Sequence, residues 1–93
     1  MITLTQKTWK EINNELAERL VEIRKRKKLS QKALSTKAGV SFGSLKRFEQ
    51  TVEISLQSLT KLAIALGVEE ELDSLFAQVP FASIEEVING QTK

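Results

Sequence analysis

Cationic side chains are concentrated in one stretch of this chain, and their chemistry suits contact with a polyanion. Between positions 24 and 47 there are nine basic residues and no acidic one. The nine are Arg24, Lys25, Arg26, Lys27, Lys28, Lys32, Lys37, Lys46 and Arg47. Lysine and arginine neutralise phosphate groups, and arginine can also donate two hydrogen bonds to a guanine edge. The chemistry that this stretch offers is therefore the binding of a nucleic acid.

The charge is divided unevenly along the chain. Residues 1–48 contain twelve Lys and Arg against four Glu, whereas residues 49–93 contain two Lys against eight Asp and Glu. The net charge of +2 therefore conceals a basic amino half and an acidic carboxyl half. A basic field of this kind attracts a phosphate backbone.

Residues that could support catalysis are scarce. The chain has no histidine and no cysteine, which removes the commonest general base and the thiolate nucleophile. Ser58 and Lys61 have the spacing of one helical turn, which an ordinary helix also produces. Acidic clusters at 69–73 and 85–86 could hold a hard cation, although acids at helix starts have the same pattern. We predict no enzymatic activity, no metal site and no cofactor.

Two short helices separated by a tight turn can be predicted around the basic stretch. Ser30 and Ser41 are each suited to cap the first turn of a helix. Gly39 lies where the first helix must end, because glycine takes a left-handed conformation without a steric penalty. Leu45 and Phe48 are three residues apart and would form the inner side of the second helix. This spacing predicts a helix-turn-helix, whose outer face carries Phe42, Gly43, Lys46 and Arg47.

The amphipathic pattern predicts a longer helix before this pair. Thr8 and Glu11 have the spacing of a capping box, and the helix that they open would continue to about Lys27. Its buried side would be formed by Ile12, Leu16, Leu20 and Ile23. The basic residues at its end would interact favourably with the helix dipole.

The carboxyl half predicts further helices after a connection near residues 50–55. One helix would bury Leu56, Leu59, Leu62, Ala63 and Leu66 and would be closed by Gly67. The next would turn Leu72, Leu75 and Phe76 inward and would stop at Pro80. A last short helix within 83–88 would have Ser83 and Glu86 as its capping box.

Length and composition predict a single all-α domain. The chain has 93 residues with four glycines and one proline, so turn-forming residues are few. No apolar stretch approaches the ~20 residues that span a membrane, and the amino terminus lacks the apolar core of a secretion signal. We therefore expect a cytoplasmic protein with no membrane association. We place one domain at 1–93, with a core at about 16–76 and extensions at 1–15 and 77–93.

Residues from about Leu16 to Phe76 resemble the DNA-binding domain of the phage-repressor family, also called Cro/CI or XRE. The similarity lies in LSQKALSTKAGVS, in SLKRFE and in SLTKLAIALGV. It implies an all-α, five-helix, lambda-repressor-like helix-turn-helix domain with short terminal extensions. It also implies a sequence-specific regulator of transcription that binds double-stranded DNA.

The resemblance also implies roles for individual residues. Three would reach base edges in the major groove: Phe42, Gly43 and Arg47. Five would contact phosphates: Gln31, Lys32, Ser41, Ser44 and Lys46. Arg24 and Glu49 would form a partly buried ion pair between the first and third helices.

Several positions leave two interpretations open. Phe42 either packs on a thymine methyl or covers neighbouring residues, and Gly43 either allows close approach of DNA or contacts nothing. The cations at 25–28 either belong to a solvated helix end or contact phosphates. Val52 stands where relatives often have glycine, so either the loop takes another path or Val52 carries a local cost of ~1–3 kcal/mol.

Apolar residues at both ends exceed what a five-helix core requires. They are Ile2, Leu4, Trp9, Val79, Phe81, Ile84, Val87 and Ile88. They either complete the core or form a surface for a second copy or a partner. Small proteins of this type resemble HipB-like antitoxins, which repress their own operon and bind a HipA-like kinase toxin. We therefore expect an autorepressing antitoxin of a toxin-antitoxin operon, which binds a palindromic operator as a homodimer. The alternative is a protein-interaction module that neutralises a HipA-like kinase toxin, with DNA binding secondary.

Overall fold

A computed structural model describes residues 6–78, which form five α-helices. They are α1 (Trp9–Arg26), α2 (Gln31–Ala38), α3 (Phe42–Thr51), α4 (Leu56–Leu66) and α5 (Glu69–Asp73). No strand occurs within residues 6–78, so the predicted all-α fold class is confirmed. Helix α3 continues to Thr51, which makes the connection to α4 shorter than the sequence predicted.

Hydroxyl side chains begin four of these helices. Thr8, Ser30, Ser41 and Ser55 each accept a hydrogen bond from a backbone N–H in the first turn of the helix that follows. Such caps satisfy donors that a helix start otherwise leaves unpaired. The predicted caps at residues 8, 30 and 41 are confirmed, whereas the cap at Ser55 was not predicted.

The capping box at the start of α1 is complete. The Glu11 N–H donates to Thr8 Oγ1 over 3.2 Å, and the Thr8 N–H donates to Glu11 Oε1 over 2.9 Å. The backbone hydrogen bond from Thr8, followed by that from its side chain, lowers the pKa of Glu11. This stabilisation is present above the ordinary pKa of a glutamate and is lost as the pH falls through the lowered value.

Three helices end on a residue with left-handed backbone geometry. Gly39 (φ +71°) and Gly67 (φ +75°) close α2 and α4 as predicted. Val52 closes α3 with φ +67°, and its N–H donates to the Phe48 carbonyl over 2.8 Å. The turn therefore keeps a left-handed path and Val52 takes a conformation that strains a β-branched residue.

The core is built around the α2–α3 pair. The largest fully buried side chains are Leu34, Leu45, Phe48, Leu62 and Leu66. Helix α2 packs against α3 and α4, and α1 packs against α3. Because the inner side of α3 supplies Leu45 and Phe48 to this core, its opposite side must face solvent.

The buried side predicted for α1 is wrong in its amino half. Leu20 is buried and Ile23 half-buried, but Ile12 and Leu16 are 51% and 40% exposed. The buried residues of α1 begin at Ala17, so only the carboxyl half of this helix packs against the other helices. The amino half carries its apolar residues into solvent.

Two predictions for the carboxyl half also fail. Leu56 lies at the start of α4 and is 70% exposed, although Leu62, Ala63 and Leu66 are buried. Leu75 and Phe76 are 53% and 91% exposed rather than inward, because α5 ends at Asp73 and Phe76 has φ +60°.

The predicted stop at Pro80, the predicted helix within 83–88 and the apolar residues at 2, 4 and 79–88 lie outside the described residues. Within 6–78, no helix is both long and apolar enough to span a bilayer.

Two substitutions of Val52 test the backbone strain, because the strain decides which of the two variants is the more stable. Val52→Gly and Val52→Ala remove nearly the same packing, but only glycine accepts the left-handed conformation freely. We expect the glycine variant to have the larger free energy of unfolding, by about 1 kcal/mol, in urea denaturation. At Gln50, which is exposed within α3, the order should reverse because alanine is the better helix former. Alanine above glycine at both positions would show that Val52 is unstrained.

Candidate nucleic-acid interface

Helix α3 presents an exposed face that its buried face holds in place. Ser41 caps the helix, and Leu45 and Phe48 are fully buried beneath it. The exposed residues of its first two turns are Phe42, Gly43, Ser44, Lys46 and Arg47. All four residues that the sequence placed on the outer face therefore lie there. An α-helix exposed in this way has dimensions that fit the DNA major groove.

Hydroxyl groups surround the start of α3. Ser44 N donates to Ser41 Oγ over 3.0 Å, and Ser41 Oγ donates to Ser44 Oγ over 2.8 Å. The unpaired N–H groups of a helix start and its dipole favour an anion. The start of α3 therefore combines anion-binding groups with the cations of its second turn.

An ion pair between Arg24 and Glu49 lies beneath this surface. Arg24 Nε donates to Glu49 Oε2 over 2.8 Å, and Arg24 Nη2 donates to Glu49 Oε1 over 3.0 Å. The two side chains are only 10% and 8% exposed. Arg24 Nη1 also donates to the Leu29 carbonyl over 2.8 Å. The pair joins α1 to α3 and to the loop before α2.

Gln31 completes this network from α2. Its Nε2 donates to Glu49 Oε1 over 2.8 Å, and its side chain is half-buried. An amide nitrogen carries two hydrogens, so this bond leaves a second donor on Gln31. The network thus fixes the side chain that the resemblance assigned to a phosphate. Among the described residues, no buried side-chain polar atom lacks a partner.

Phe42 and Gly43 differ in what the fold requires of them. Phe42 is 41% exposed, and Lys46 Nζ lies 5.9 Å from the centre of its ring. This cation–π contact orients the lysine on the same face as the ring. At Gly43 an added Cβ would meet no atom within 4 Å, so packing within the described residues does not require glycine there.

Arg47 has a partner that the sequence analysis missed. Its Nη2 and Nε donate to Glu53 Oε1 over 2.6 and 3.2 Å. The two side chains are 68% and 65% exposed. Glu53 follows the left-handed turn at Val52, which carries it back towards α3. The only signal in the sequence was an acid just beyond the end of a basic helix, and this spacing alone does not place it beside Arg47.

The basic run that precedes α2 is divided between structure and surface. Arg24 is buried in its ion pair, and Arg26 Nη2 lies 2.6 Å from Glu22 Oε1 on the surface of α1. Lys25, Lys27 and Lys28 are exposed, as is Lys32 in the first turn of α2. These four lysines therefore add positive charge to the surface of the amino half of the chain.

Comparison with known proteins gives one match. A family model described as helix-turn-helix matches residues 20–72. The match begins in the carboxyl half of α1, extends through α2, α3 and α4, and ends in α5. No curated protein and no solved structure matches the chain. Over half of the chain is therefore covered by the family model.

Removal of one partner of the buried ion pair should harm folding more than removal of both. Arg24→Met or Glu49→Met leaves a buried charge without its main partner, at a cost of about 3–5 kcal/mol. The double variant leaves no such charge, so we expect its urea midpoint to lie above that of either single variant. Glu22→Met and Arg26→Met serve as controls, because an exposed pair contributes about 0–1 kcal/mol. Additive losses at residues 24 and 49 would contradict this account.

Proposed function

Because the chain belongs to the XRE-type helix-turn-helix family of DNA-binding transcriptional regulators, we propose that it is a repressor that recognises a specific operator through α3. The observation that carries this proposal is the exposed face of α3, where Lys46 and Arg47 stand above a fully buried inner side. A cation-bearing helix fixed in this way can enter the major groove as a rigid unit.

Base recognition would depend mainly on one side chain. Arg47 can donate two hydrogen bonds to O6 and N7 of a guanine. Phe42 has no hydrogen-bonding group and would contact a thymine methyl, while Gly43 would admit close approach of the DNA. With so few base contacts, DNA shape would supply much of the remaining preference.

Phosphate contacts would fix the position of α3 in the groove. The proposed contacts are Gln31, Lys32, Ser41, Ser44 and Lys46. Gln31 has a free amide hydrogen beside its bond to Glu49, and Ser41 and Ser44 lie at the start of α3. Such contacts give affinity and orientation but carry no direct sequence information.

Arg47→Ala tests the assignment of base recognition. The two DNA substrates are the duplex that the wild-type protein enriches most from a randomised library and its scrambled form. We expect the variant to lose about 1–3 kcal/mol of discrimination between them, because a bidentate contact with guanine disappears. Lys46→Ala should instead weaken binding to both duplexes. It should also make the slope of log affinity against log salt concentration shallower by about 0.9. Lys61→Ala, on α4, is the control for loss of a charge. Equal losses on the two duplexes for Arg47→Ala would exclude base recognition by this residue.

An apolar stripe on α1 supports a homodimer. The stripe consists of Trp9, Ile12 and Leu16, which are 69%, 51% and 40% exposed and follow helical spacing. Covering it with the same stripe of a second copy would remove apolar surface from water. A dimer would hold two α3 helices about one DNA turn apart, ~34 Å, and would therefore bind a palindromic operator.

The resemblance to HipB-like antitoxins supports a more specific role. We infer an antitoxin that represses its own operon and binds a HipA-like kinase toxin. In the alternative, neutralisation of the toxin is the main task and DNA binding is secondary. The exposed apolar residues, which include Phe76 beyond α5, offer surface for such a partner as well as for a second copy.

Trp9 provides a direct probe of the stripe because it is the single tryptophan of the chain. If a second copy covers the stripe, Trp9 emission should shift to shorter wavelength as the protein concentration rises. Leu16→Ala should move this transition to higher concentration, and Ile64→Ala on α4 should leave it unchanged. A shift only after addition of a HipA-like kinase, if the adjacent gene encodes one, would favour the partner protein over the homodimer. No shift in either titration would exclude both uses of the stripe.

A further inference from the structure

The Arg47–Glu53 pair leaves one end of the arginine unused. Both hydrogen bonds end on Glu53 Oε1, and they come from Nε and Nη2. Nη1 takes part in neither bond. A guanidinium has five N–H donors in a fixed fork, so the end formed by Nη1 and Nη2 still offers a pair of parallel donors. Arg47 can hold Glu53 with one edge and a guanine with another.

The turn after α3 holds Glu53 in position for this contact. Thr51 Oγ1 donates to the Arg47 carbonyl over 2.7 Å, and the Glu53 N–H donates to Thr51 Oγ1 over 3.4 Å. Between them Val52 has the left-handed geometry that reverses the chain. The carboxylate is therefore directed back over the last turns of α3 by the backbone.

Glu53 places a negative charge beside the basic part of the chain. The stretch from residue 24 to residue 47 contains no acid, and Glu49 is buried in its ion pair. Glu53 instead exposes a carboxylate beside the cations of α3, where it opposes the approach of any phosphate. Since an exposed ion pair contributes little to stability, the folded state gains little from it. Stability alone therefore does not explain why a carboxylate lies here.

We infer that Glu53 is a specificity-determining residue that positions Arg47 for a base. Held by Glu53, the long arginine side chain gives up less conformational freedom when it binds guanine. The same contact competes with a phosphate for the arginine, and the carboxylate repels the phosphates of DNA of any sequence. Glu53 therefore lowers affinity for random DNA and favours a site with a guanine in reach of Arg47. This inference rests on the proposed function.

The test compares Glu53→Gln with the wild type on two duplexes. One is the sequence that wild-type protein enriches most from a randomised duplex library, and the other is its scrambled form. We expect the variant to bind the scrambled duplex more tightly, with a salt slope steeper by about 0.9, because the released arginine turns to one more phosphate. The ratio of the two affinities should fall by up to about fivefold, as expected for a contact between exposed side chains. Selection with the variant should weaken the same guanine preference that Arg47→Ala loses.

Two controls separate positioning from a simple change of charge. Glu22→Gln removes the carboxylate of the exposed Arg26 pair on α1 and makes the same change of charge away from α3. It should leave the affinity ratio unchanged. In an Arg47→Ala background, Glu53→Gln should raise affinity for both duplexes equally, because no arginine remains to be positioned.

The outcomes distinguish this inference from the proposal on which it rests. Enrichment by the wild type with an unchanged ratio in Glu53→Gln would overturn the positioning role alone. The same fall in ratio in the Arg47→Ala background, or with Glu22→Gln, would also overturn it. A library in which wild-type protein enriches no sequence would overturn the proposed function and this inference with it.

Discussion

The ion pair between Arg24 and Glu49 is the constraint on which the arrangement of the first three helices depends. Its partners are 25 residues apart in the chain, and both are nearly buried. A charge in this position is costly unless it is hydrogen-bonded. Here the Leu29 carbonyl accepts from the remaining nitrogen of Arg24, and Gln31 donates a second hydrogen bond to Glu49 Oε1. The geometry that meets these demands also sets α3 against α1 and brings Gln31 to the start of α2. A single buried ion pair therefore orients both the helix that would enter DNA and a side chain that would hold its backbone.

Local signals in the sequence were sufficient for the framework. Hydroxyl caps at Thr8, Ser30 and Ser41 and the left-handed glycine at Gly39 act over three or four residues, so their physics is contained in short segments. The buried side of α3 followed from helical spacing for the same reason. The ion pair across 25 residues was different, because spacing alone does not bring two distant helices together. The resemblance to a family supplied that contact, and the third partner, Gln31, emerged only in the structure.

Periodicity was least informative where a face has no neighbour. Helical spacing shows which residues share a face, but it does not show whether another element covers that face. Ile12 and Leu16 continue the pattern of Leu20, yet they lie beyond the part of α1 that packs. The prediction that Phe76 faces inward is wrong for another reason, because this residue follows the end of α5 and has left-handed backbone geometry. At Val52 the sequence identified an unfavourable residue but did not decide whether the loop would avoid the left-handed conformation. In the structure the turn keeps that conformation, and Val52 is strained.

The exposed face of α3 has few side chains that could hydrogen-bond a base, and one of them, Arg47, is paired with Glu53. Phe42 and Gly43 have no side-chain group that could hydrogen-bond a base, so in the proposed function discrimination would come from Arg47 or from DNA shape. A free arginine can bind a phosphate instead of a guanine, and a phosphate contact carries no direct sequence information. Restricting the arginine is therefore worth more to such a surface than adding another cation. The strained turn at Val52 precedes Glu53, which pairs with Arg47 and would impose this restriction. A local backbone cost would then serve the selectivity of the helix before it.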